Sequence, residues 1–221
     1  MKTIIKNTHY LILFLLIFAS SAKAQDTETN DVENDFESRT AFELNSKVAK
    51  NLKVSISPEF RFDENFSLDK YLLEGKASYE IIDHLSLGAG YRFYANKRDT
   101  KSTEYDNRFL LSVKYKNSIQ RFEPSIKMSY TNDSDDDSSS NLLRYKGEVK
   151  YNIRKCKITP WIGAEAFHAV DDGDISKMRY FLGMDYKICK NNYIETSYKF
   201  DYFMNELKNK HIISIGYKIK L

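Results

Sequence analysis

The chain ends in the stretch His211-Ile212-Ile213-Ser214-Ile215-Gly216-Tyr217-Lys218-Ile219-Lys220-Leu221. From Ile213 onward every second residue is large and apolar, and the residues between them are Ser, Gly or Lys. Such alternation is typical of a strand with one apolar and one polar face. We interpret this stretch as the closing strand of a β-barrel that crosses the outer membrane.

About eleven runs with the same period of two follow one another between Phe36 and Leu221. Residues 52–56, for example, alternate Leu, Val and Ile with Lys and Ser. Each run is close to the ~9–11 residues that a tilted strand needs to cross a bilayer. The pattern predicts an all-β fold, a closed antiparallel up-and-down transmembrane β-barrel of about 10–12 strands. Because single-chain bacterial barrels have even strand numbers, we expect about ten or twelve.

The composition agrees with this interpretation. A length of 221 residues suits one domain. The mean hydropathy of −0.56 argues against a helical membrane protein, whereas a barrel turns only alternate residues to lipid. The chain has 16 Tyr and 14 Phe but one Trp, an excess that aromatic girdles at two membrane interfaces explain. The net charge of +3 is too small to indicate nucleic-acid binding.

The sequence divides into three segments. Residues 1–24 have Lys2 and Lys6 before a short apolar core and end in Ala22-Lys23-Ala24, which is typical of a signal peptide with its cleavage site. Residues 25–35 are polar and acidic, and we expect them to form a disordered tail. Residues 36–221 form the predicted barrel. The sequence therefore predicts export to the outer membrane.

Alternation also fits a soluble β-sandwich or a soluble periplasmic ligand-binding barrel, but three features favour the membrane barrel. The polar face carries charges of both signs on nearly every run, as a barrel lumen requires. The apolar face carries Tyr or Phe at both ends of a run, as with Tyr71 and Tyr79. Short connections near residues 50–51 and 83–84 alternate with long polar ones, including 95–104 and 131–141, as periplasmic turns and outer loops do.

The strongest constellation is a set of charged residues that the alternation turns into the lumen. This lumen charge network comprises Arg39, Glu59, Arg61, Glu74, Arg92, Arg108, Glu123, Arg144, Glu148, Glu165, Arg179 and Glu195. A small barrel has an interior only modestly wider than its side chains, so the network favours a salt-bridged structural plug or a very narrow channel. The alternative is a porin-like substrate channel in which the excess of Arg and Lys favours anions.

No residue pattern indicates catalysis, a cofactor or a metal site. The acidic clusters at residues 133–137 and 171–174 lack EF-hand spacing, so we interpret them as solvated loops and not as Ca²⁺ sites. Ser38 and His211 fall outward at the ends of the first and last strands, which makes a lipid-acting, phospholipase-like enzyme the alternative, but no third group orients the histidine. Cys156 and Cys189 lie at one end of successive strands, where a disulfide is one option.

Three stretches of the chain resemble a known family. They are Phe60-Arg61-Phe62, Gly88-Ala89-Gly90-Tyr91-Arg92-Phe93 and Ile215-Gly216-Tyr217-Lys218-Ile219. They are similar to the outer-membrane β-barrel family catalogued as domain of unknown function 2490, and the resemblance extends from about Phe36 to Leu221. It implies a barrel in a Gram-negative outer membrane with no established activity. The expected partners are outer-membrane lipid and the barrel-insertion machinery, which would engage the last strand.

Overall fold

The structure is a computed structural model that describes residues 32–98, 101–132, 141–171, 173–204 and 206–221. The described chain is all-β, and its strands are β1 (Glu33–Ala49), β2 (Leu52–Phe62), β3 (Leu68–Ile82), β4 (Leu85–Arg98), β5 (Lys101–Lys116), β6 (Phe122–Asn132), β7 (Asn141–Tyr151), β8 (Ile158–Ala169), β9 (Ile175–Cys189), β10 (Asn192–Phe203) and β11 (Lys208–Lys220). Within these ranges no helix is long and apolar enough to cross a membrane. The expected signal peptide, residues 25–31 of the expected tail and the acidic cluster at 133–137 lie outside the described residues.

The strands close into a barrel in which each pairs antiparallel with its neighbours along the chain. β1 also pairs with β11, and this pair is parallel, running from Glu33 beside Lys208 to Asn45 beside Lys220. The barrel therefore has eleven strands, which lies within the predicted range, but the expectation of an even number was wrong. When every other pair of neighbours is antiparallel, the first and last strands run antiparallel if the number of strands is even and parallel if it is odd.

The connections define two ends of the barrel. We call the end with the connections at 50–51, 83–84, 117–121, 152–157 and 190–191 the turn end, and the opposite end the loop end. The predicted long loop at 95–104 was wrong, because β4 continues to Arg98 and β5 begins at Lys101. Asn96 donates a 3.2 Å hydrogen bond to Asp106, and the rings of Phe93 and Tyr105 stack 5.7 Å apart. These cross-strand pairs continue the ladder through polar sequence.

The two faces of the sheet have opposite character. Large apolar residues on the outer face are exposed, for example Ile126 at 68% and Ile215 at 51%. Charged residues on the inner face are buried, for example Arg61 at 4% and Asp201 at 0%. Ionised side chains are almost never fully buried unless they are paired, so the inner face requires ion pairs.

The three prolines lie within strands, and none of the bulges in the ladders that contain them falls at a proline. Pro58, Pro124 and Pro160 each pair with only one neighbouring strand, β3, β7 and β9 respectively. On the other side the ladder is interrupted or has ended. A proline cannot donate a backbone hydrogen bond, so these gaps are where its missing N–H costs least.

Candidate functional site

The lumen contains every member of the predicted charge network on the inward side of its strand. Six of these side chains are buried, namely Arg39, Arg61, Glu74, Arg108, Glu165 and Arg179. The other six are half-buried, namely Glu59, Arg92, Glu123, Arg144, Glu148 and Glu195. The network is therefore enclosed by the barrel wall along most of its length.

The deepest ion pair involves a carboxylate outside the predicted set. Asp201 on β10 is fully buried and accepts two hydrogen bonds of 2.5 Å from Nε and Nη2 of Arg179 on β9. Lys177 Nζ lies 3.8 Å from the second carboxylate oxygen. Because the two guanidinium donors and the two oxygens match in geometry, this pair fixes the relative position of β9 and β10 inside the lumen.

A second cluster spans the parallel seam near the loop end. Glu37 on β1 accepts a hydrogen bond from Arg39 and lies 2.8 Å from Lys210 Nζ on β11. Arg61 on β2 donates a 2.8 Å hydrogen bond to Glu59. Arg39 also lies within ion-pair distance of Glu59, and Arg61 lies within ion-pair distance of Glu37. The cluster links three strands by alternating charge, so it reinforces the one parallel pair of the barrel.

Aromatic rings lie against several cations of the loop-end half, some of which belong to the two clusters above. Tyr94 is fully buried, and the guanidinium carbons of Arg61, Arg92 and Arg108 lie 5.9, 5.5 and 4.2 Å from its ring centre. Arg92 also donates a 2.5 Å hydrogen bond to the Tyr94 hydroxyl. Phe167 has the same role for Arg144, Lys177 and Arg179, at 4.7, 4.5 and 5.1 Å. Rings of this kind hold cations close together because their faces are electronegative.

Two inward aromatic side chains on β8 and β9 cover glycines of the neighbouring strand. Trp161 pairs with Gly183, and Gly163 pairs with Phe181. A Cβ at Gly183 would lie 2.5 Å from Trp161 Cζ2, and one at Gly163 would collide with the Phe181 ring. The two rings meet edge-on with centres 5.7 Å apart. The glycines therefore let both rings lie against the wall, which leaves space in the lumen centre.

Sequence reasoning missed the apolar residues that face inward. They are Leu72, Tyr94, Leu110, Leu142, Phe167, Phe181, Phe203 and Ile212, all of them buried. Each stands next to an apolar or aromatic residue in the sequence, as in Leu72-Leu73 and Ile212-Ile213. In a strand, adjacent residues point to opposite faces. A doublet of this kind therefore signals one residue on the outer face and one in the lumen.

Two adjoining chambers lie within the lumen, and a further cavity of about 360 Å³ at the turn end is lined by inward residues that include Lys114. The smaller, of about 190 Å³, is toward the loop end and is lined by Tyr94 and Phe167. The larger, of about 450 Å³, is toward the turn end and is lined by Trp161 and Phe181. Five residues line both chambers and so stand between them, namely Arg92, Leu110, Arg144, Arg179 and Lys199. Four of these five are cationic, so the junction between the chambers is strongly basic.

The geometry does not assemble the alternative chemistry. β1 and β11 are neighbours as expected. Ser38 pairs with Ile213, however, whereas His211 pairs with Phe36, two positions before Ser38. The Nδ1 atom of His211 instead lies 2.7 Å from the hydroxyl of Tyr198.

Cys156 and Cys189 are exposed free thiols. The described residues contain no cluster of three His, Cys, Asp or Glu side chains that could hold a metal ion.

Comparison with known proteins identifies a family and no activity. None of the curated proteins compared with the chain matches it. A family model matches residues 39–211, from the middle of β1 to the first half of β11. That match covers more than three quarters of the sequence. The chain therefore belongs to the family described as protein of unknown function (DUF2490).

Proposed function

We propose that the protein is an outer-membrane β-barrel whose lumen is a narrow, ion-paired passage for small solutes and is not catalytic. The observation that carries the proposal is the inverted distribution of side chains, with apolar residues exposed outside and charged residues buried inside. Monomeric soluble proteins rarely expose contiguous apolar patches larger than a few hundred Å². Here the apolar residues occupy the outer face of every strand.

Aromatic residues near both ends of the strands support the membrane location. On β3, Tyr71 near the loop end and Tyr79 near the turn end are both exposed on the outer face. Tyr79 is eight positions after Tyr71, which is about 26 Å along the strand at ~3.3 Å per residue. With the ~40° tilt of membrane barrels the vertical distance is about 20 Å, close to the ~25 Å apolar band of such proteins.

The lumen geometry supports a narrow passage and not an open pore. The chambers of about 190 and 450 Å³ are separated by Arg92, Leu110, Arg144, Arg179 and Lys199. Carboxylates hold three of these cations in place. Arg92 donates a hydrogen bond to Glu74, Arg144 to Glu165, and Arg179 to Asp201. A solute that crosses the junction must pass between fixed positive charges, which disfavours cations.

Three measurements test the proposal. The full chain, expressed in a Gram-negative host, is expected in the outer-membrane fraction and is expected to run differently on gels before and after heating. Purified protein in planar bilayers is expected to give small anion-preferring currents. Recovery in the soluble periplasmic fraction would overturn the membrane location. Large non-selective currents, or none above background, would overturn the narrow passage.

A further inference from the structure

Three lysines stand side by side across three adjacent strands on the inner face of the barrel. Lys114 on β5 is directly paired with Lys127 on β6, and Lys127 is directly paired with Lys146 on β7. Like charges directly opposite each other on one face of a sheet are destabilising. A row of three such residues, here called the lysine row, therefore requires compensation from another group.

The protein supplies only part of that compensation. Lys146 Nζ lies 2.8 Å from Glu148 and also stands over the Phe181 ring at 4.6 Å. Across the described chain, Lys114 and Lys127 have no carboxylate within 4.0 Å. Charge is therefore left over in the row, and the residue at its centre has a lysine on both sides.

The lysine row lines the larger chamber, where cations are in excess. Ten Lys or Arg side chains and four Glu side chains line this space. Four of the ten cations pair with carboxylates outside this lining, namely Lys76 and Arg92 with Glu74, Lys150 with Asp185, and Arg179 with Asp201. The four carboxylates are already engaged, since Glu43 and Glu195 pair with Lys218, Glu148 with Lys146, and Glu165 with Arg144. The volume of about 450 Å³ lies within the range of about 300–1,000 Å³ that is usual for small-molecule sites.

We propose that the lysine row binds a small anion with two or more negative charges, such as a phosphorylated solute. Lysine ammonium groups are mobile point charges that adapt to phosphate oxygens without a fixed bidentate geometry. One polyvalent anion in the chamber would neutralise Lys114 and Lys127 together, which two separate chloride ions could do only at higher cost in entropy. The inference deepens the proposed passage by naming the class of solute that it holds.

The test uses the full barrel refolded in detergent, with tripolyphosphate as the probe and the fluorescence of Trp161 as the signal. Trp161 is the only tryptophan of the chain and lines the same chamber. We expect a saturable change in emission that NaCl at equal ionic strength does not produce. Lys127→Gln is expected to weaken binding about tenfold or more, the effect of losing one hydrogen bond to a charged group. Lys190→Gln, at an exposed position of a turn-end connection, is the matched control and should bind as the wild type does.

A second pair of variants protects the test against misfolding. Lys127→Arg keeps the charge and should retain binding, and Lys114→Gln removes the other unneutralised charge and should weaken binding as Lys127→Gln does. The proposal is overturned if the wild type gives no saturable response, if both glutamine variants bind normally, or if Lys190→Gln loses binding equally. Because the assay needs no membrane, its failure would leave the outer-membrane location untouched, and soluble localisation would leave the anion site untouched.

Discussion

Replacement of Asp201 by alanine tests whether the lumen is held together by enclosed ion pairs. Asp201 is fully buried, accepts two hydrogen bonds of 2.5 Å from Arg179 and lies 3.8 Å from Lys177. Unit charges about 4 Å apart interact by about 4 kcal/mol at an effective dielectric constant near 20. Removal of one partner from a buried ion pair costs about 3–5 kcal/mol, because the other charge stays enclosed. We therefore expect Asp201→Ala to lower the free energy of unfolding by about 3–5 kcal/mol.

The assay is urea unfolding of the refolded barrel in lipid vesicles, followed by Trp161 fluorescence. Asp171→Ala, at an exposed loop-end position, should change the free energy of unfolding by less than about 0.5 kcal/mol. The double variant Arg179→Met with Asp201→Leu should recover most of the loss, because apolar side chains of similar volume often replace a buried pair at little cost. A loss below about 1 kcal/mol for Asp201→Ala, well short of the expected range, would refute the reasoning. A double variant as unstable as the sum of its single changes would refute it as well.

Three further changes probe the wall, the outer face and the junction between the chambers. Gly183→Ala puts a Cβ 2.5 Å from Trp161 Cζ2, so we expect a loss of about 1–3 kcal/mol in urea unfolding, whereas Gly75→Ala, with nothing within 4 Å, should be near neutral. Ile215→Arg puts a charge on the outer face near the middle of β11, and its unfolding free energy in vesicles should fall by about 2–4 kcal/mol if that face meets lipid; no change would contradict the membrane location. Lys199→Glu reverses a charge at the junction, so the reversal potential in a salt gradient should shift toward cation preference, and an unchanged potential would remove the junction from the passage.

Periodicity was sufficient to predict the all-β closed barrel and the face on which most residues lie. On β2, Ile56 and Phe60 occupy even positions, whereas Glu59 and Arg61 occupy odd positions. Because alternate side chains of a strand point to opposite faces, the first pair lies outside and the second pair inside. The family named from three short stretches is also confirmed by the match over residues 39–211, although the third stretch, Ile215–Ile219, lies beyond that match. Both successes depend on local patterns, which a single sequence contains in full.

The features that escaped prediction depend on how distant strands are aligned. Nothing in residues 33–45 distinguishes a strand that will pair in parallel with β11 from one that will pair antiparallel, because the alternation of faces is the same. Lys114, Lys127 and Lys146 are 13 and 19 residues apart in the chain, and only the register of β5, β6 and β7 makes them neighbours. A shift of one residue in either ladder would place a lysine on the opposite face from its partner.

The two halves of the lumen differ in how far the protein compensates its own charges. Toward the loop end, Leu142, Phe167 and Ala169 form a buried apolar cluster. The same half also contains charges that are already compensated, since Arg39 and Arg61 pair with Glu37 and Glu59, and Arg179 pairs with Asp201. Toward the turn end, the larger chamber presents the lysine row, which lowers the energy of an anion once it has entered. In the proposed passage, an anion is therefore held in the larger chamber, because the uncompensated charge lies on the lysine row and not among the ion pairs of the loop-end half.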